Sequence, residues 1–286
     1  MSHAAIGVIC REDVCVFKLK HLFEDSTEVV TRFVVRGRHD SYVPPVLNVK
    51  VKETLSNTTA PFFSTWKWFK HALGHYKTDF IGHSEDDVYH NITLFAPVLN
   101  VVHSNLNGNV AVGALEIFHW CTTNHGSHHF WSHYDHTRVW NCDIKRAAGN
   151  YKGLLQWHSN NTRGDIIGPF PMMKGPLYFL SRQVVRSIID SVWVTQEFDN
   201  IMRKHDGPPW DDVFVGAALA MSGIQKLRFV DTGSFFSQGC TAFRRPIYHK
   251  PCSILPNVST HGAKLHCQAK LVSKSCSNTR WSSCHV

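Results

Sequence analysis

Thr78-Asp79-Phe80-Ile81-Gly82-His83-Ser84-Glu85-Asp86-Asp87-Val88-Tyr89 is the stretch on which the fold turns. Thr78 to His83 reads as a short strand, since Phe80 and Ile81 are the bulky apolar residues that buried strands collect. Three acids follow where that strand gives out, and Val88-Tyr89 resumes apolar. The acids therefore sit at the rim of a core, on the C-terminal edge of a strand. In open α/β sheets ligands bind at that edge, because the loops there diverge and leave a crevice. Adjacent carboxylates raise one another's pKa unless a cation neutralises them. Ligation by oxygen alone suits Mg or Mn, which keep positions open for substrate phosphates. The competing reading of an acid triplet by itself is a solvated turn or helix start.

Working outward, Trp66, Phe69, Ala72, Leu73 and Tyr76 recur at helical spacing, with Ser64 placed to cap the start and Gly74 to loosen the end. Ala5-Cys10 and Thr31-Val35 are short runs fit for buried strands of a parallel core. Asn109-Glu116 reads as a further strand. Ser181 is placed to cap a helix whose Val184, Val185, Ile188, Ile189 and Val192 form one apolar face. Pro208-Pro209-Trp210 stops the chain, Asp211 to Met221 has the pattern of a helix closed by Gly223, and Lys226-Asp231 reads as a strand. This alternation predicts an α/β fold with a mostly parallel central sheet flanked by helices.

Two further segments carry chemistry. In Trp210-Asp211-Asp212-Val213-Phe214-Val215-Gly216 the apolar residues pack a helix and both acids fall in its first turn. Capping and dipole compensation are the plain roles there, and suit Asp211; Asp212 is the candidate base, which a helix N-terminus would keep ionised though weaker as a base. Gly168-Pro169-Phe170-Pro171-Met172-Met173-Lys174-Gly175-Pro176-Leu177-Tyr178-Phe179-Leu180-Ser181 reads as a loop before a helix. Its glycines, Gly175 among them, let the backbone approach a ligand closely, and Lys174 is available to a phosphate or sugar hydroxyl.

An acid triplet after an apolar strand, a Gly/Pro segment running into Tyr-x-Leu-Ser, and then Asp-Asp-Val-Phe-Val-Gly occur here in that order. The combination resembles the beta-1,3-galactosyltransferase family, with its N-acetylglucosaminyl relatives, over roughly residues 30–250. The resemblance implies a GT-A fold and an inverting, metal-dependent hexosyltransferase. It implies a UDP-galactose or UDP-N-acetylglucosamine donor, a glycan or glycoprotein acceptor and a beta-1,3 linkage. Asp87 matches the family's metal-binding acid, for Mn2+ (or Mg2+), and Glu85 and Asp86 match neighbours that contact the nucleotide ribose and sugar. Asp212 matches the general base, and His249 in Tyr248-His249-Lys250-Pro251 is the candidate for the histidine that completes the metal site. Glu85 stands where the family more often has Asp, and Met172-Met173-Lys174 replace small or aromatic residues. The expected division is an N-terminal segment of unassigned role over 1–30, the transferase domain over 31–250 and a Cys-rich tail over 251–286.

Composition agrees with one large globular domain or one domain with appendages: 286 residues, 43% of them hydrophobic, suffice for a substantial core. Lys and Arg exceed Asp and Glu by 30 to 22, which suits anionic ligands such as nucleotide phosphates. They form no run of five and no zinc-finger or RNA-recognition spacing, so nucleic acid is not an expected partner. Five of nine cysteines (Cys240, Cys252, Cys267, Cys276, Cys284) crowd the C-terminus, which suggests disulfides in an oxidising compartment, free buried thiols being the alternative. Sequons begin at Asn57, Asn91, Asn160 and Asn257, a second vote for the secretory lumen. No stretch approaches the ~18 apolar residues of a membrane span, so Golgi residence as a type II membrane protein would require an N-terminal anchor absent from this chain.

Rival readings attach to particular residues. His119 to His136 contains six His, and His125, His129 and His133 share a face if helical, which would suit zinc. A polar loop beside an acceptor cleft, with Trp120, Trp131, Tyr134 and Trp140 interleaved, is the alternative. A catalytically inactive glycan-binding protein of the same fold is the second functional class, and a metal-dependent hydrolase the third.

Overall fold

The computed structural model describes residues 3–10, 28–37, 40–50, 59–86, 88–90, 92–106, 108–121, 126–131, 166–204, 211–232, 236–238 and 247–249. In chain order its elements are β1 (Ala4–Ile9), β2 (Val29–Gly37), β3 (Ser41–Val43), β4 (Val46–Lys50), α1 (Thr59–His75), β5 (Phe80–Glu85), β6 (Val88–His90) and α2 (Ile92–Asn105). There follow β7 (Val110–Cys121), β8 (Gly126–Trp131), β9 (Ile166–Ser181), α3 (Arg182–Ile189), α4 (Val192–Lys204), α5 (Asp211–Met221), β10 (Arg228–Asp231), β11 (Phe236–Gln238) and β12 (Ile247–His249). The main sheet runs β10-β7-β9-β5-β1-β2-β4-β3, with β8 paired to β7, and a smaller sheet runs β11-β12-β6. Pairing is parallel from β4 through β2 and β1 to β5, whereas β9 lies antiparallel to both β5 and β7. Side chains of α1, α3, α4 and α5 join the core on one face and those of α2 the core on the other, giving a mixed α/β fold with a central, helix-flanked sheet.

Strand β1 is buried along its whole length and lies between β2 and β5, so the sheet draws its central strand from the segment before residue 31. Helix α1 fits closely over it. A Cβ on Gly7 would stand 2.6 Å from the Trp68 ring. The Trp68 indole N–H donates to the Gly82 carbonyl at 2.8 Å, giving the buried ring its one polar partner on the neighbouring strand. The helix starts at Thr59, ahead of the expected cap, and the Ser64 hydroxyl donates back to the Ala60 carbonyl at 2.9 Å. Ser181 does precede α3, but its hydroxyl accepts from the Val110 backbone N–H and makes no side-chain cap. Val192 opens a separate helix and is 71% exposed instead of extending the apolar face of α3.

The segment read as a Gly/Pro loop is β9, sixteen residues long. Its prolines are tolerated because its pairing is irregular: the register jumps between Gly113↔Tyr178 and Leu115↔Met173, and shifts again between Phe118↔Phe170 and Trp120↔Ile167. At the first jump β9 takes up extra length, and Lys174, Gly175 and Pro176 leave the β7 ladder. Helix α5 has the expected bounds, and Gly223 beyond it adopts φ +64°. It packs on β9 where the helix cannot add bulk, since a Cβ on Gly216 would lie 2.6 Å from Met172 Cβ and 2.8 Å from Phe170 Cε2. Among the described residues no helix is long and apolar enough to cross a membrane.

Gly216→Ala weighs two opposed effects. Helix propensity favours Ala by about 1 kcal/mol, while overpacking costs about 1–3 kcal/mol. Because the obstacle is a Cβ and not the tip of a flexible side chain, the clash should win, lowering Tm by about 2–4 °C per kcal/mol in a domain of this size. A thermal melt showing a gain in Tm would mean that α5 and β9 are not so closely apposed.

Candidate active site

Alternation along β5 puts Ile81, His83 and Glu85 on the face covered by α1 and α5, and Glu85 is the last residue of the strand. Asp211 and Asp212 form the first turn of α5. The extra length in β9 carries Gly175 between them. Its backbone N–H donates to Asp212 Oδ2 at 2.8 Å, and the position of its missing Cβ is 2.7 Å from Glu85 Oε1 and 3.2 Å from Asp212 Oδ2. Any side chain at 175 would push these carboxylates apart. The other Asp212 oxygen, Oδ1, accepts from the Val213 N–H at 2.8 Å. Glu85, Gly175 and Asp212, expected separately, thus converge at the C-terminal edge of the parallel strands.

The electrostatics depart from expectation. A helix N-terminus should keep Asp212 ionised, yet its pKa lies well above the usual carboxylate value. Desolvation is the first cause, followed by the charges of Asp211 and Glu85; the bonds from Gly175 and Val213 oppose the shift without overcoming it. Asp212 keeps a window to solvent, but its carboxylate is enclosed by protein and by like charge. The consequence is a stronger base than a helix start alone provides.

Lys174 extends not into this cleft but to Glu116 on β7, its ammonium 2.8 Å from Oε1 of that buried carboxylate. Asp86 occupies the turn after β5 and is partly buried. Asp87 lies outside the described residues, as do the five C-terminal cysteines. The backbone of β12 pairs antiparallel with β6 so that His249 stands opposite Val88, the residue after Asp87. In the His-dense segment the chain forms strands instead of the helix considered above, with His119 paired to His128 and Phe118 to His129; His125, His133 and His136 lie outside the described residues.

Two residues that the motifs did not single out, Thr65 and His83, complete the surroundings with Tyr178, which the Tyr-x-Leu-Ser motif contains but gives no role. The Thr65 hydroxyl on α1 donates to Asp211 Oδ2 at 2.7 Å. His83 has Nδ1 3.3 Å from that hydroxyl and Nε2 3.7 Å from Asp211 Oδ2. Tyr178, its cross-strand partner on β9, stacks on the imidazole with ring centroids 4.8 Å apart and planes 9° from parallel. Its phenol is held well above its ordinary pKa by burial and then by the charges of Asp211, Asp212 and Glu85. The available signal was the period-two register from Ile81 through His83 to Glu85.

Among the described residues no group of three His, Cys, Asp or Glu is arranged to hold a metal ion. The donor chemistry still fits a hard divalent cation near this edge: the acids are consecutive, Asp87 follows them, and Asp212 is already opposed by two carboxylates whose charge such an ion would offset.

No protein-family model and no curated protein matches the sequence. Among solved structures, the chain is similar to the apo form of mouse xyloside xylosyltransferase 1, with 13% identity and a TM-score of 0.41 over 87% of this chain and 96% of that one. It is also similar to the apo-form glycosyltransferase GlyE of Streptococcus pneumoniae TIGR4, with 8% identity and a TM-score of 0.31. That match takes in 99% of this chain but 62% of GlyE, so the chain spans less than two thirds of GlyE's length.

The raised pKa of Asp212 has a definite sign in stability. Its protonated form is favoured in the native state, so the contribution is full below the unfolded value near pH ~4 and is lost as pH rises through the native pKa. In chelator, Asp212→Asn should therefore be close to neutral near pH ~4 and stabilising near pH ~7.5. Added Mn2+ should raise the wild-type Tm more at the higher pH. Melts in which Asp212→Asn destabilises equally at both pH values would contradict the placement of Asp212 among like charges.

Proposed function

We propose that the chain is a GT-A-type, nucleotide-sugar-dependent glycosyltransferase. It transfers galactose or N-acetylglucosamine from a UDP-sugar to a hydroxyl of a glycan or glycoprotein, with inversion and a beta-1,3 linkage. The observation that carries the proposal is the Asp212 carboxylate, fixed by the Gly175 amide beside Glu85 at the strand edge and raised in proton affinity. The order of sequence motifs supports the same reading.

In that role Asp212 accepts the proton of the acceptor hydroxyl as its oxygen attacks the sugar carbon. Raised proton affinity serves this step, because a base is most effective when its pKa approaches the working pH. Gly175 holds the carboxylate in place through its N–H and, lacking a side chain, leaves the space between Glu85 and Asp212 clear. Glu85 and Asp86 lie on the donor side, where the nucleotide ribose and sugar would be held. With the base on one face of the carbon and the diphosphate leaving from the other, the product is inverted, by the logic of single-displacement glycosidases. Asp87 and His249 would hold the divalent metal, Mn2+ or Mg2+, which when bound neutralises charge on the departing diphosphate. The clustered cysteines and sequons support work in the Golgi or secretory lumen.

The test is UDP release with Mn2+ across a panel of UDP-sugars, with and without galactose- or xylose-terminated acceptors. One donor should give acceptor-stimulated release. Asp212→Asn should lower kcat by about 10²–10⁴-fold with donor binding retained. Asp87→Ala should lose metal-dependent donor binding, and His249→Ala should weaken metal affinity. UDP binding without release from any donor would favour the glycan-binding alternative, and normal transfer by Asp212→Asn would remove it as the base.

A further inference from the structure

Asp211 has the sequence signature of a helix cap, yet its side chain points away from its own helix. Oδ2 accepts from the Thr65 hydroxyl on α1, a residue 146 positions earlier, and faces His83 Nε2 on β5. Thr65 and His83 are buried, at 2% and 1% exposure, and the Asp211 side chain is 15% exposed, so the tether is shielded from water. His83 Nε2 and the Tyr178 hydroxyl are buried without a hydrogen-bond partner among the described residues. Each belongs to the stacked pair that backs Asp211. Through this contact the first turn of α5 is joined to the helix and strand that carry Thr65 and Glu85.

We propose that Asp211 is a positioning residue, which Thr65 anchors and the His83–Tyr178 stack backs, holding the first turn of α5 so that Asp212 meets the Gly175 amide. The role in turnover rests on Asp212 being the base; the placement of Asp212 does not. Two consequences separate position from charge. Removing the Thr65 hydroxyl frees Asp211 to move and takes Asp212 with it. Replacing Asp211 by Asn keeps an oxygen for Thr65 but removes a negative charge beside Asp212.

The Gly175 amide reports on both, since its proton is donated to Asp212. In amide-resolved NMR of the full chain, Thr65→Val should shift the Gly175 resonance and lower its protection from hydrogen exchange, with the β1 and β2 amides unchanged. Thr65→Ser should restore the wild-type signal. Asp211→Asn should leave Gly175 protected but move the pH midpoint of its shift downward, because one of the charges raising the Asp212 pKa is gone. In sugar transfer Thr65→Val should lower kcat by about 10–100-fold, with donor KM nearly constant and recovery in Thr65→Ser. An unchanged Gly175 amide in Thr65→Val, or loss in Thr65→Ser as great as in Thr65→Val, overturns the proposal. A responsive Gly175 amide in a chain that transfers no sugar upholds the positioning and rejects the function proposed above.

Discussion

The close approach of β9 to α5 is the contact on which the rest of the structure depends. It is possible because Gly216 presents no side chain to Met172 and Phe170, and it becomes useful because Gly175 presents none to Glu85 and Asp212. One glycine lets the helix come down onto the sheet, and the other lets two carboxylates face each other across the strand's backbone. Both are steric vacancies, but they yield differently: at Gly216 the obstacle is the Met172 Cβ in a densely packed interior, whereas at Gly175 it is the carboxylate end of Glu85, which can swing aside only by leaving its place beside Asp212. The irregular register of β9 belongs with them, since an evenly paired strand would keep Gly175 within its ladder and away from the helix.

The acidic cluster stores a conflict that the fold does not resolve by itself. Burial and like charge push Asp212 toward its protonated form, and the helix N-terminus and two backbone N–H groups answer only in part. Such tension is common where ionisable groups are tuned for proton transfer, and it is paid for by the packing beneath. Here the packing is specific: Trp68 closes over Gly7 and bonds to the Gly82 carbonyl, while Tyr178 stacks on His83. Strand β5 is thus held on this face by an indole bonded at Gly82 and a phenol ring stacked on His83, just before its acid-bearing end.

The parts of this arrangement that were legible in sequence are those set by local pattern. Phe80 and Ile81 before three acids marked a strand and its edge, and Asp211 to Met221 with Gly223 marked both ends of α5. Prolines and glycines hid β9, because a strand that bends out of its ladder uses the same residues as a loop. Ser64 and Ser181 look like caps, but their hydroxyls are engaged elsewhere. His83 and Tyr178 matter through a cross-strand pairing that joins residues 95 positions apart, and Thr65 through a bond spanning 146. No periodicity reports such contacts. The raised pKa of Asp212 was illegible for a related reason: it is a sum over Asp211, Glu85 and burial, and Glu85 is brought near only by the finished fold.

The place of β9 in the sheet has a further consequence for how the chain is made. Strands β5 and β7 are both complete by residue 121, yet in the main sheet they meet only through β9, which begins at Ile166. A nascent polypeptide therefore carries two bare, apolar strand edges until that later segment leaves the ribosome. Unpaired edges of this kind are templates for pairing with other chains. The interval between them sets a period of exposure during synthesis, in which a chaperone or rapid compaction of the first half must keep neighbouring chains apart.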